Sequence, residues 1–209
     1  LSRQVLEVKR KLRDIIKPAV TLFLICLIVS TALAFTHAVT KETIAERAEL
    51  DKLNARKAVL TSATDFETIE GIDSLLKGNN GQSAVKEAYR GLNNGGFEGY
   101  VFLMSTKGYG GDMELTVGID KEGKVSGVEI GENDETPGLG GKAQDKTFIS
   151  QFSGLSIGEK LTTVRGKKST PDEIQAISGA TVTTKAVTEA VQTAMDAAEE
   201  LMEKEGVAR

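Results

Sequence analysis

Residues 19–38 read AVTLFLICLIVSTALAFTHA, twenty positions without an Asp, Glu, Lys or Arg. As a helix rising about 1.5 Å per residue, the run is roughly 30 Å long, the thickness of a bilayer's hydrocarbon core. The flank before it is basic: Arg3, Lys9, Arg10, Lys11, Arg13 and Lys17 stand against Glu7 and Asp14 within residues 1–18. With a formal charge of −4 over all 209 residues, the remainder of the chain is strongly acidic. By the positive-inside rule such a chain keeps residues 1–18 in the cytoplasm, spans the membrane over 19–39 and places the residues beyond the span outside the cytoplasm. A cleaved leader would share the basic start and the apolar run, with Ala32-Leu33-Ala34 as its cleavage site. The length of the run favours a retained span.

The chain has one cysteine and one histidine. That excludes an internal disulfide and the usual structural zinc sites. A nucleophilic triad would need Cys26 or His37, and both lie in the apolar run, where packing and interfacial roles are expected. No catalytic residue and no metal ligand is therefore assigned. The acidic balance gives no reason to expect a nucleic-acid partner. Side chains so poorly equipped for chemistry of their own point to a borrowed cofactor.

Residues 40–80 read as a helical stalk and connector. Lys41–Leu60 is rich in helix formers, with a thin apolar stripe of Ile44, Leu50, Leu53 and Val59. Asp65–Leu76 predicts a second short helix, ended by Lys77–Gly81. Residues 81–205 predict an α+β domain, an antiparallel sheet packed by helices. Strands are expected at Ala84–Tyr89, Gly99–Ser105, Met113–Asp120 and Lys124–Gly131, with turns at Asn93–Gly96, Lys107–Gly111 and Lys121–Gly123. A further short helix is expected within Gln144–Phe152 and another strand within Leu155–Arg165. A last helix runs from about Thr181 to Lys204. Its core face is Val187, Val191, Ala194, Met195, Ala198 and Met202, its outer side Thr188, Glu189, Gln192 and Glu199, and its stop Gly206.

Two stretches stand out for binding. Glu132–Lys142 holds Pro137, Gly138, Gly140 and Gly141, which suits either a long turn or a cradle that lets a planar ligand close on the backbone. Ile177–Thr184 puts small residues and four hydroxyls at the start of the last helix. Ser178, Gly179 and Ala180 leave room for an approach. Thr181, Thr183 and Thr184 fall in the first turn, where backbone N–H groups lack helical partners and a phosphate is welcome. Helix capping alone would also account for a Ser or Thr here.

The ordered pair Glu135-Thr136-Pro137-Gly138-Leu139-Gly140 and Ser178-Gly179-Ala180-Thr181, behind one span, resembles the FMN-binding domain of the RnfG and NqrC subunits of ion-pumping membrane redox complexes. The resemblance extends through Lys107–Gly111, Val117–Asp120 and the strand with Val125 and Val128. It implies FMN joined covalently by a phosphoester to Thr181, with Ser178, Gly179 and Ala180 shaping the turn and Val182, Thr183 and Thr184 offering donors to the phosphate. It implies that Glu135, Thr136, Gly138, Leu139 and Gly140 form the loop against the flavin ring. A separate flavin transferase would install the group from FAD. The implied role is an electron relay in an Rnf-type ferredoxin:NAD oxidoreductase coupled to Na⁺ or H⁺ transport, an enzyme subunit without NAD chemistry of its own. Its partners would be the other subunits of the complex and membrane lipid. An NqrC-like subunit of a quinone reductase and a stand-alone anchored flavin sensor or reductase are the alternatives. Two positions depart from the family's usual pattern: Gln175 stands where Asp is common, and Asn133-Asp134 where His is common.

Overall fold

The computed structural model describes residues 2–71 and 83–206. The chain divides into two compact units, Leu1–Asp51 and Lys52–Arg209.

Helix α1, Ser2–Val59, contains the apolar run and carries Pro18 within it. It is the one helix among the described residues long and apolar enough to cross a membrane. Its large side chains over the run, Leu22, Phe23, Ile28, Leu33 and Phe35 among them, are exposed. The threonines within and just beyond the run satisfy their own hydroxyls. Thr21, Thr31, Thr36 and Thr40 each donate to the carbonyl four residues earlier, at 2.7–2.9 Å, so none of these four hydroxyls needs water.

The second unit is built on a five-stranded antiparallel sheet in sequential order: β1 Asp65–Thr68, β2 Ser83–Asn93, β3 Gly96–Lys107, β4 Asp112–Asp120 and β5 Val125–Asn133. The expected turns join the strands. Asn94 and Gly95 both take positive φ, 49° and 79°, the two-residue turn that suits hairpin twist. Gly123, with φ of 76°, closes the last hairpin of the sheet, between β4 and β5. After the sheet come a 3₁₀ turn at Gly140–Gln144, helix α2 at Lys146–Ile149, a parallel pair β6 Thr162–Val164 and β7 Glu173–Gln175, and helix α3 at Thr181–Glu205. Gly206 ends α3 in the left-handed region.

The two sheet faces are buried differently. One carries Tyr100, Phe102, Met104, Leu115, Val117 and Ile119 and packs with Val187, Val191, Ala194, Met195 and Ala198 of α3 and with Phe148 and Phe152. Thr188 is buried with that face of α3, not on its outer side; donating to the Thr184 carbonyl at 2.8 Å removes the cost of burying its hydroxyl. The other face takes Val59, Leu60 and Ala63, with Tyr89 and Val101. Glycines cut that seat: a Cβ on Gly118 would lie 2.3 Å from the Val59 carbonyl oxygen, and one on Gly127 2.9 Å from the Val59 Cα. Ser126 fastens it by donating to the Val59 carbonyl at 2.5 Å. Arg56 lies 3.7 Å from the centre of the Tyr89 ring and donates to its hydroxyl at 2.7 Å.

Two expectations need correction. The start of the expected helix Asp65–Leu76 is strand β1, with Phe66 paired to Gly91 and Glu67 to Arg90. The open edge of β2 supplies main-chain partners that outweigh a local helix preference. The rest of that expectation from residue 72, the Lys77–Gly81 stop and the 80/81 boundary lie outside the described residues. Strand β7 has no counterpart among the expected strands.

Candidate functional site

The two stretches singled out in the sequence face one another across a cavity of about 390 Å³. That is within the roughly 300–1,000 Å³ of small-molecule sites. From the loop come Glu135, Thr136, Leu139 and Gly140; from the start of α3 come Gly179, Ala180, Thr181, Val182 and Thr183. Tyr109, from the turn between β3 and β4, completes the wall. Three of the expected residues stand elsewhere. Ser178 is exposed beside the cavity, Thr184 is buried beneath it, and Gly138 lines a separate hollow on the far side of the loop.

Local geometry explains why these residues are small. Gly179 takes φ of 80°, and a Cβ there would come within 3.0 Å of Leu139 Cδ2. Ala180, the residue before the helix, has φ of −132° and ψ of 48°, and no side chain caps the helix. The capping alternative therefore fails for this start. The first bond into the helix is Thr184 N–H to the Ala180 carbonyl, at 3.0 Å. The N–H groups of Thr181, Val182 and Thr183 have no partner among the described residues, and neither has the Thr181 hydroxyl. Thr184 instead braces the turn: its hydroxyl donates to the Ala180 carbonyl at 2.9 Å and accepts from the Ile177 N–H at 3.1 Å.

Glu135 holds the cavity's walls together. Its Oε1 accepts from the N–H groups of Tyr109 and Gly110, at 2.7 and 3.1 Å, and its Oε2 accepts from Thr183 Oγ1 at 2.8 Å. The carboxylate is buried in a hollow left by two glycines. A Cβ on Gly140 would sit 1.9 Å from Oε2, and one on Gly108 2.1 Å from Oε1. The adjoining loop is closed by the N–H groups of Leu139 and Gly141, both donating to the Thr136 carbonyl at 3.1 Å.

Among the described residues of this unit, the large apolar side chains that stand exposed are Tyr109, Leu139 and Val182, at 76 %, 44 % and 51 %. All three line this cavity. An apolar rim above three free N–H donors and a free hydroxyl suits a ligand with a planar apolar body and an anionic tail. Tyr109 is the one wall residue the sequence does not assign; its signal is a lone aromatic between glycines in the Lys107–Gly111 turn. Neither departure from the family pattern lines the cavity. The Gln175 side chain is exposed in β7 while its N–H donates to Gln151 Oε1 at 2.8 Å, and Asn133 Oδ1 accepts from the Glu135 N–H at 3.3 Å.

An uncapped helix start, small residues and an opposing glycine loop define a mononucleotide-type binding domain behind a candidate membrane helix. The family model for an FMN-binding domain matches residues 108–196, and the model for the RnfG N-terminal region matches residues 9–59. The chain is 38 % identical over 197 residues to the G subunit of the Na⁺-translocating ferredoxin:NAD⁺ oxidoreductase complex of Acetobacterium woodii, covering 89 % of this chain and 94 % of that one. It is 30 % identical to the G subunit of the proton-translocating ferredoxin:NAD⁺ oxidoreductase complex of Clostridium ljungdahlii, covering 82 % and 84 %. It is likewise 30 % identical to the G subunit of the ion-translocating oxidoreductase complex of Methanosarcina acetivorans, covering 88 % and 94 %. The chain belongs to the RnfG family, the G subunits of ion-translocating oxidoreductase complexes. The crystal structure of Shewanella oneidensis NqrC shares its fold, with a TM-score of 0.50 at 18 % identity over 71 % of this chain and 73 % of that one. The residues present fit the FMN the domain is named for: free donors and a hydroxyl for the phosphate, an apolar rim for the ring.

Proposed function

We propose that this chain is the electron-relay subunit of a membrane ferredoxin:NAD oxidoreductase that drives Na⁺ or H⁺ transport, carrying its electrons on FMN esterified to Thr181. The observation that carries the attachment is the unpartnered Thr181 hydroxyl at a helix start whose first three N–H groups are also free. A phosphate there would take those N–H groups as donors and lie at the positive end of α3. Attachment from FAD by a flavin transferase balances simply. The Thr181 oxygen forms a bond to the FMN phosphorus, the pyrophosphate bond breaks, AMP leaves and the hydroxyl proton passes to a base.

FMN supplies reversible gain and loss of electrons; the chain binds, orients and shields it. Leu139 and Val182 offer apolar surface, and the glycines of the loop allow close approach. The relatives' membership of a multi-subunit complex supports partners of the same kind for this chain. The basic residues 1–18 support a cytoplasmic N-terminus, a span over 19–39 and a flavin domain outside the cytoplasm, with lipid around the span. A covalent tether suits an extracytoplasmic site, where a loosely held cofactor would be lost.

Peptide mapping tests the attachment. The full chain, coproduced with a flavin transferase, is digested and the flavin-bearing peptide sequenced by mass spectrometry. Flavin on the peptide containing Thr181 supports the reading; flavin on another peptide sinks it. Copurification with polytopic membrane subunits tests the relay role, and isolation as a lone active reductase contradicts it.

A further inference from the structure

Glu135 has more hydrogen bonds than loop closure requires, and its position in the cavity wall gives it a second consequence. Three donors face its two oxygens, two main-chain N–H groups and one hydroxyl. The donors belong to two different segments, the Tyr109-Gly110 turn and the first turn of α3. Both neighbouring positions that could crowd the carboxylate are glycines, Gly108 and Gly140. The chain thus holds one negative charge in the wall of the cavity, only 8 % exposed, where solvent screens it poorly. None of the hydrogen bonds to it comes from a Lys or Arg that would cancel it.

We propose that Glu135 is a redox-tuning charge, a fixed carboxylate in the cavity wall that lowers the midpoint potential of the group bound there. This rests on the FMN reading above. An electron gained by the bound group adds negative charge to the cavity, and a standing negative charge opposes that gain. The three donors spread part of the charge over two segments of the wall. The same bonds fix where the charge lies relative to the start of α3, so the field at the bound group is set by geometry and not by a mobile side chain.

The test is a redox titration of the full chain, coproduced with flavin transferase, following flavin absorbance. Flavin content per chain is measured first on a denaturing gel. Glu135→Gln keeps the size and removes the charge, and its potential rises above wild type. Glu135→Asp keeps the charge and brings the potential back toward wild type. Thr183→Val removes one donor but leaves the charge, now less compensated, and its potential falls. Opposite shifts in the Gln and Val variants are not expected of a merely structural residue, whose loss would move both alike. Unmoved potentials, or shifts of one sign, overturn the proposal while leaving the FMN reading intact. Should the Gln variant fail to fold, the Val variant decides: a fall supports the proposal, and no change or a rise overturns it. A wild-type chain that takes up no flavin overturns the FMN reading, and this one with it.

Discussion

Thr183 Oγ1 donates to Glu135 Oε2 at 2.8 Å, a buried bond between residues 48 positions apart. It ties the start of α3 to the loop on the opposite wall of the cavity. Both partners depend on Gly140, where a Cβ would sit 1.9 Å from Oε2 and 2.8 Å from Thr183 Oγ1. Gly140→Ala should therefore break the tie and destabilise the domain by about 1–3 kcal/mol. Gly141→Ala is the control, since its nearest neighbour would be the Thr136 carbonyl oxygen at 3.5 Å. It should cost about 0.5 kcal/mol or less. Urea unfolding of the two variants checks the contrast, and equal midpoints would count against it.

Thr184 tests the turn beneath the cavity. Its hydroxyl, buried, accepts from the Ile177 N–H at 3.1 Å and donates to the Ala180 carbonyl at 2.9 Å. Thr184→Val leaves a main-chain donor without its acceptor, at a cost of about 1–3 kcal/mol. Thermal unfolding should show the loss, and hydrogen exchange should show the Ile177 amide opening faster. Wild-type exchange at Ile177 would mean the bond is not held in solution.

The far end of α3 gives a pH dependence. The Tyr100 hydroxyl donates to Glu205 Oε2 at 2.6 Å, and Arg90 pairs with the same carboxylate. Burial, then the hydrogen bond to Glu205, pushes the Tyr100 phenol above its ordinary value of 10.0. The folded chain thus keeps this proton where the unfolded chain has released it. The contribution is complete below about pH 10 and is lost as pH rises toward the folded value. Tyr100→Phe should lower stability near neutrality by about 1–3 kcal/mol and flatten the alkaline fall. Denaturant midpoints of both proteins between neutral and alkaline pH measure this; parallel curves would contradict the assignment.

The long apolar helix, the central strands and α3 were legible because each writes a local pattern: an uncharged run, apolar stretches closed by Gly-containing turns, a three-and-four spacing. The Asn94-Gly95 turn is the clearest case, where two positive φ angles match two residues that tolerate them. Strands β1 and β7 were not legible. They are four and three residues long, and each is a strand only because a neighbour offers it an edge. At the site, the loop and the helix start were legible as glycine, proline and hydroxyl clusters. The inward role of Glu135 was not, because its partners Tyr109 and Thr183 lie 26 and 48 residues away. Nor was the division among the threonines, since composition does not say that Thr181 is free while Thr183 and Thr184 are bonded.

The central claim is that the free hydroxyl of Thr181 carries the flavin. The most direct measurement is in-gel flavin fluorescence of the denatured full chain, wild type beside Thr181→Val, each coproduced with an active flavin transferase. The predicted result is a fluorescent wild-type band and a dark variant band of equal protein content. A variant band that stays fluorescent, or a dark wild-type band, contradicts the account.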